Sequence, residues 1–248
     1  MIYKKKNIRK CTFDTCRDGE DYIVSEEIAS IYINNALYTR LSCSPAEIEY
    51  LGVGFLLTEG IIKNGIPFDY KVKNLEFYLT IDKSIEPTGY ILRSSGCESG
   101  EFTFCLQELP QIDSSFKLKI QKLPELFEKF NKKSKVFKLT GGVHAAAISD
   151  GKNILFFSED IGRHNAVDKV IGKTFLNGIN FSTTILLSSG RISLEIVKKA
   201  ITAGIPVVLS RSAPTSLAIQ TASVKNLTLI GFLRGKRFNI YSGYERTL

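Results

Sequence analysis

The stretch HAAAISDGKNILFFSEDIGRHNAVDKVIG, residues 144–172, carries two structural signals in immediate succession. Residues 144–149 and 154–158 are short apolar runs, and between them stands Asp150-Gly151, a dipeptide that favours a tight hairpin turn. From residue 163 to about 177 the period changes: Val167, Val170, Ile171 and Thr174 recur at helical spacing. The alternation then continues. TTILLS (183–188) and PVVLS (206–210) are continuous apolar runs, as expected of parallel strands covered on both faces, and LTLIGFL (227–233) is a further strand. Helical segments at 192–204 and 213–225 separate these three strands. With a helix near 124–134 ahead of the hairpin, the order begins α-β-β-α-β-α-β and closes with a further α-β pair.

Upstream, IASIYINNALYTRLSC (28–43) reads as a hairpin about Asn34-Asn35. SPAEIEYLGVGFLLTEG (44–60) reads as a helix with Ser44 as cap, Pro45 in the first turn, Glu47 completing a capping box and Gly60 as the stop. LEFYLTI (75–81), TGYILRSS (88–95) and FTFC (102–105) read as strands, with GCESG (96–100) as a loop. A boundary falls near 110–123. The fold class predicted is α/β: a cytidine-deaminase-like three-layer sandwich over 123–248, preceded by a smaller β-rich subdomain over 1–122.

At 248 residues, 44% apolar and 23% charged, the composition is that of a globular protein with a sizeable core. The longest apolar run, YLGVGFLL, is far too short to cross a bilayer, and no apolar stretch follows the basic MIYKKKNIRKC to make a secretory signal. Five irregularly spaced cysteines (11, 16, 43, 97 and 105) fit a reducing compartment, so a cytoplasmic location is expected. A net charge of +8 favours acidic partners. The basic runs at 4–10 and 117–138 lack interleaved aromatics, reading as solvated surface and giving no case for nucleic acid.

Each strand-to-helix junction of the second half carries an arginine: Arg163 in EDIGRHN, Arg191 in LSSGRIS and Arg211 in LSRSAPTS. A cation at a helix N-terminus opposes the macrodipole by about 0.3–1 kcal/mol when exposed. Open α/β sheets bind ligands at this edge, where free backbone N–H groups point. One such arginine is equally explained by an ion pair with Glu159 or Asp160. Three together, beside the hydroxyls of Ser188, Ser189, Ser210 and Ser212, point to a shared anion such as a nucleotide diphosphate. His144 and His164, the two histidines of the chain, stand at the mouths of the same elements. Zinc deamination, which this topology invites, needs H-x-E and P-C-x-x-C; here Ala145 and Ala146 follow His144 and no C-x-x-C occurs, so no metal is expected. Cys97 lies on a Gly-flanked loop, where a thiol is open either to carrying sulfur or to having no role.

These residues resemble the FdhD family, the formate dehydrogenase accessory sulfurtransferases. The resemblance rests on GFLLTEGII (54–62), TGGVHAAA (140–147), EDIGRHNAVDKVIG (159–172), SSGRISLEIVKKA (188–200), GIPVVLSRSAPTSLAI (204–219) and LTLIGFLRGKRFNIY (227–241), in the family's order. It implies a sulfur carrier that accepts persulfide sulfur from a cysteine desulfurase. The sulfur passes to bis(molybdopterin guanine dinucleotide) carrying molybdenum or tungsten, before that cofactor enters formate dehydrogenase. Cys97 would be the persulfide-bearing catalytic residue. Gly231, Phe232, Leu233, Arg234, Gly235 and Lys236, matching the family's cofactor segment, would join Arg163, His164, Asn165, Arg191, Arg211 and His144 in holding the cofactor, which GDP would mimic. The resemblance also implies a homodimer. Where many relatives carry a second cysteine three positions on, this chain has Gly100. That departure motivates an alternative: a chaperone that binds the guanine dinucleotide without moving sulfur.

Overall fold

The computed structural model describes residues 2–63, 67–82, 92–93 and 109–248. The N-terminal stretch expected to be a solvated basic run is a long antiparallel hairpin of β1 (Tyr3–Cys11) and β2 (Cys16–Val24), whose last register pair, Cys11 and Cys16, is joined by a disulfide. This corrects the reading of these two cysteines as reduced tail thiols. Strand β1 has almost no apolar alternation to betray it, and its lysines are complemented across the pair, as Lys5 is by Glu20.

The expected hairpin at Asn34-Asn35 is present, as β3 (Glu27–Ile33) and β4 (Ala36–Cys43). Both turn asparagines have positive φ, 49° and 67°, the combination a type I′ turn requires. Helix α1 (Ile48–Thr58) starts later than its sequence signals imply: Glu47 is the N-cap and makes no side-chain cap. Tertiary partners displace the local capping box. The Ser44 amide donates to Asp160 Oδ2, the Ile161 amide donates to Ser44 Oγ, and the Glu47 carboxylate pairs with Lys173. Strands β5 (Asp69–Lys73), β6 (Glu76–Thr80) and β7 (Leu92–Arg93) complete a five-stranded sheet in the order β5-β6-β3-β4-β7.

The second half forms α2 (Leu123–Lys133), α3 (Lys135–Thr140), β8 (His144–Ser149), β9 (Ile154–Asp160), α4 (Arg163–Leu176), β10 (Ile185–Ser188), α5 (Leu194–Ala203), β11 (Val207–Ser210), α6 (Ser216–Val224), β12 (Thr228–Arg234) and β13 (Arg237–Ser242). Its six-stranded sheet runs β13-β12-β11-β10-β8-β9, with β10, β11 and β12 parallel. The predicted succession from α2 to β12 is present, with α3 inserted after α2 and β13 added at its end; in the first half β5 is a further addition. Alternation along the strands divides the core. Ala146, Ile148, Leu186 and Val208 face α4 and α5, whereas Ala147, Leu187, Val207 and Leu209 face the apolar stripe of α2. The lysine-rich segment 117–138 thus covers one face of the sheet with Leu126, Phe127 and Phe130 while its charges face outward.

Helix α1 joins the two sheets. One continuous core runs from Ile31 and Phe77 of the five-stranded sheet through Leu51 and Leu56 of α1 to Val167 and Ile171 of α4, across the boundary placed at 122/123. The close crossing depends on glycine: a Cβ on Gly54 would stand 1.8 Å from the Asp168 carbonyl oxygen, and one on Gly172 would stand 2.1 Å from that of Tyr50.

Candidate functional site

Strands β10 and β11 end at Ser188 and Ser210. Because β8 runs antiparallel to β10, with Ala146 opposite Ser188, the start of β8 at His144 lies beyond that same end. His144 pairs in register with Asp160, which brings the β9–α4 junction there too. Leu209 pairs with Ile230, so residues 231–234 extend past the same edge. Motifs scattered over 90 positions of sequence therefore meet at the carboxyl end of one sheet.

A cavity of about 680 Å³ opens at this edge. Its lining includes His144 and Ser189, then Arg211, Ser212 and Arg234, and from α3 Phe137 and Lys138. The serines divide by task. Ser188 Oγ accepts from the Gly190 amide, and Ser210 Oγ donates to the Gly190 carbonyl and accepts from the Ser212 amide, so these two buried hydroxyls shape the loops instead of facing an anion. Ser189 Oγ accepts from the Ala145 amide at 2.9 Å and lies 3.3 Å from His144 Nδ1. Gly190 permits the crowding, since a Cβ there would meet Arg163 Cδ at 3.1 Å and His144 Nδ1 at 3.4 Å.

The simple ion-pair account of Arg163 fails on partners. The Glu159 carboxylate accepts the Val136 and Phe137 amides at the start of α3. Asp160 accepts from Lys169 Nζ at 2.5 Å, from Asn165 Nδ2 at 2.9 Å, and from the amides of Ser44 and Gly162. Arg163 Nε is buried with no hydrogen-bond partner, and so are His164 Nε2 and Ser193 Oγ. All three orphans lie where the N-termini of α4 and α5 meet, and neither helix has a side-chain cap there. Burial and the nearby Arg191 push the pKa of the Arg163 guanidinium down, against a smaller upward pull from Glu195, and burial, Arg163 and Arg191 push the His144 imidazole down. The edge is thus a cluster of groups that disfavour one another's positive charge. An anion among them would relieve both that repulsion and the missing hydrogen bonds.

His164 Nε2 lies 3.1 Å from Glu195 Oε2, but in a geometry that is not a hydrogen bond. Burial, with Lys199 and Arg163 nearby, outweighs this one partly solvated carboxylate and pushes the imidazole down to about 3. His164 is therefore neutral at ordinary pH.

Of the residues singled out by sequence, His144, Arg211 and Arg234 line the cavity. Arg163, His164 and Arg191 cluster beside it, as their electrostatic coupling records. Asn165 does not reach it: its buried amide donates to the Ser42 carbonyl and to Asp160. Within 231–236, Leu233 is core, and Gly231 lies against Pro214 and Ser212, where a Cβ would meet atoms at 3.0 Å. Phe232 is partly exposed at φ 55°, while Gly235 and Lys236 form the exposed turn into β13. Sequence reasoning missed α3, whose six residues are too few to show a period, and with it Phe137 and Lys138. It also missed Glu195. Cys97 and Cys105 lie outside the described residues. Cys43 is buried, its thiol pushed up to about 12 by desolvation and then by Asp160, and Cys11 and Cys16 are bonded to each other. None of these three is a free nucleophilic thiolate.

Comparison with known proteins gives a consistent result. A family model described as the FdhD/NarQ family matches residues 24–248. The chain is 34% identical to the sulfur carrier protein FdhD of Listeria innocua over 99% of this chain and 98% of the relative. It is 36% identical to that of Bacillus subtilis, covering 92% and 90%, and 39% identical to that of Saccharolobus solfataricus, covering 97% and 87%. A crystal structure of a candidate formate dehydrogenase accessory protein from Desulfotalea psychrophila superposes with a TM-score of 0.85 over the whole of both chains at 22% identity, a match of fold.

Proposed function

The chain belongs to the FdhD/NarQ family, and from that premise we propose that it is a sulfur carrier serving the maturation of formate dehydrogenase. Cys97 accepts the terminal sulfur of a persulfide on a cysteine desulfurase, the donor's S–S bond breaking as its thiolate leaves. The outer sulfur then passes to bis(molybdopterin guanine dinucleotide), in its molybdenum or tungsten form, the Cys97 S–S bond breaking to return the thiolate. A reduced cofactor supplies the two electrons that the sulfur needs to become sulfide; the cofactor is cargo here and not a resident group. The protein acts in the cytoplasm as a homodimer, without zinc, and its six-stranded unit is a deaminase-like sandwich reused for binding.

The single observation that carries this reading is Arg163, an arginine whose Nε is buried and unpartnered while both neighbouring carboxylates are engaged elsewhere. Beside it stand the cavity arginines Arg211 and Arg234. This donor set suits the pyrophosphates of a guanine dinucleotide: planar guanidinium groups and uncapped helix N-termini both recognise phosphate oxygens. With Cys11, Cys16 and Cys43 unsuited to the role, Cys97 and Cys105 remain, and the family resemblance favours Cys97 on its Gly-flanked loop.

The test is incubation with a cysteine desulfurase and cysteine, followed by peptide mass measurement. An added sulfur on the Cys97 peptide, absent in Cys97→Ala, is expected. Sulfur found elsewhere, or none, defeats the carrier reading. If Cys97→Ala still restores formate dehydrogenase activity to cells lacking their own factor, the chaperone reading that Gly100 motivates takes its place.

A further inference from the structure

The α3 wall of the cavity has a property that anion binding does not use. Phe137 is 45% exposed, belongs to neither hydrophobic core, and lines the cavity. An aromatic ring left facing solvent is usually mobile, but this one is held on a helix fixed at both ends. At its start the buried Glu159 carboxylate accepts the Phe137 amide at 2.9 Å and the Val136 amide at 3.0 Å. At its end Gly141, at φ 64°, donates to the Phe137 carbonyl, and Thr140 Oγ1 donates to the Val136 carbonyl. The fold therefore pins the backbone of the residue whose ring it leaves uncovered. Arg211 and Arg234 line the same cavity from the loop after β11 and the end of β12, and its volume suits a small-molecule ligand.

We infer that Phe137 is a stacking platform for the purine of a nucleoside diphosphate whose phosphates lie on the arginine side, so that α3 is the base-stacking wall of the site. The inference rests on the anion-cavity reading above and adds to it the aromatic half of the ligand. Stacking on a ring is tolerant of base identity and depends on a preset position, which the Glu159 anchor supplies. Lys138, next in sequence and also in the lining, adds a cation at the same wall.

The chain contains no tryptophan, so Phe137→Trp places a single indole reporter at the site. GDP is expected to quench its fluorescence; inorganic pyrophosphate is expected to bind without doing so. By calorimetry, Phe137→Ala is expected to weaken GDP about tenfold while leaving pyrophosphate unchanged. Equal GDP affinity in wild type and Phe137→Ala, with no quenching in Phe137→Trp, overturns the stacking role alone. A wild-type chain that binds neither GDP nor pyrophosphate overturns the anion cavity and the stacking role together.

Discussion

Two regions supplied by neighbouring residues of one segment treat charge in opposite ways. In the seam where α4 meets α1, charged groups are buried and paired: Asp160 with Lys169, both fully buried, and Asp168 with Lys199 at 2.8 Å, with Thr58 Oγ1 bridging at 2.9 and 3.0 Å. At the carboxyl edge, Arg163 and His164 of the same segment keep buried nitrogens without partners. The difference is solvation. Deep in the seam an unpaired charge would carry a penalty of several kcal/mol, so pairs must close. At the half-open edge, nitrogens left without hydrogen-bond partners are tolerated, and what the protein leaves unmet becomes available to a ligand.

The comparison breaks hardest in the seam. Lys169→Met strands Asp160 and is expected to cost about 3–5 kcal/mol, read as a lowered urea midpoint. A loss below about 1 kcal/mol would mean that the seam is not a structural element.

At the edge the signs should reverse. Arg163→Ala is expected to leave the urea midpoint unchanged or slightly raised, because it removes a cation facing Arg191, while weakening GDP by about 10- to 100-fold, the worth of hydrogen bonds to a charged group. Stability lost without affinity lost would make Arg163 a structural residue like its neighbours.

The smallest effect concerns pH. His164 is held down at about 3 against an ordinary value near 6.5. The unfolded chain takes up this proton first, so the contribution of the neutral imidazole is whole above about pH 6.5 and is lost as pH falls toward 3. His144, lowered mainly by burial, acts in the same direction. His164→Gln should flatten the decline in stability between pH 6.5 and 4.5, measured by urea unfolding. An unchanged slope would place His164 in solvent.

Much of the α/β half was legible because its signals are local. HAAAIS coincides with β8, and Val167, Val170 and Ile171 mark the buried face of α4. The turn asparagines at 34 and 35 and the stop at Gly60, φ 75°, were likewise readable from residue type. The failures share a cause in contacts distant along the chain. Ser44 and Glu47 carry a capping pattern, yet Asp160 and Lys173 claim them. Asn165 sits amid the polar residues of the junction, yet its amide is turned to Ser42. The β1–β2 hairpin hid because it contributes to neither core and so needs no apolar period.

By itself the sequence determined most of the succession of strands and helices from α2 to β12, and the placing of Arg163, Arg191 and Arg211 at three junctions, since both follow from the period and order of residues. Only the tertiary structure decided that Arg163 Nε is buried without a hydrogen-bond partner. Glu159 and Asp160 stand within four positions of Arg163, but the groups that claim them come from α3, from Lys169 and from Ser44, the last 116 positions away. Whether a charge is satisfied is a property of three-dimensional neighbours in a low dielectric, and a one-dimensional order of residues does not carry it.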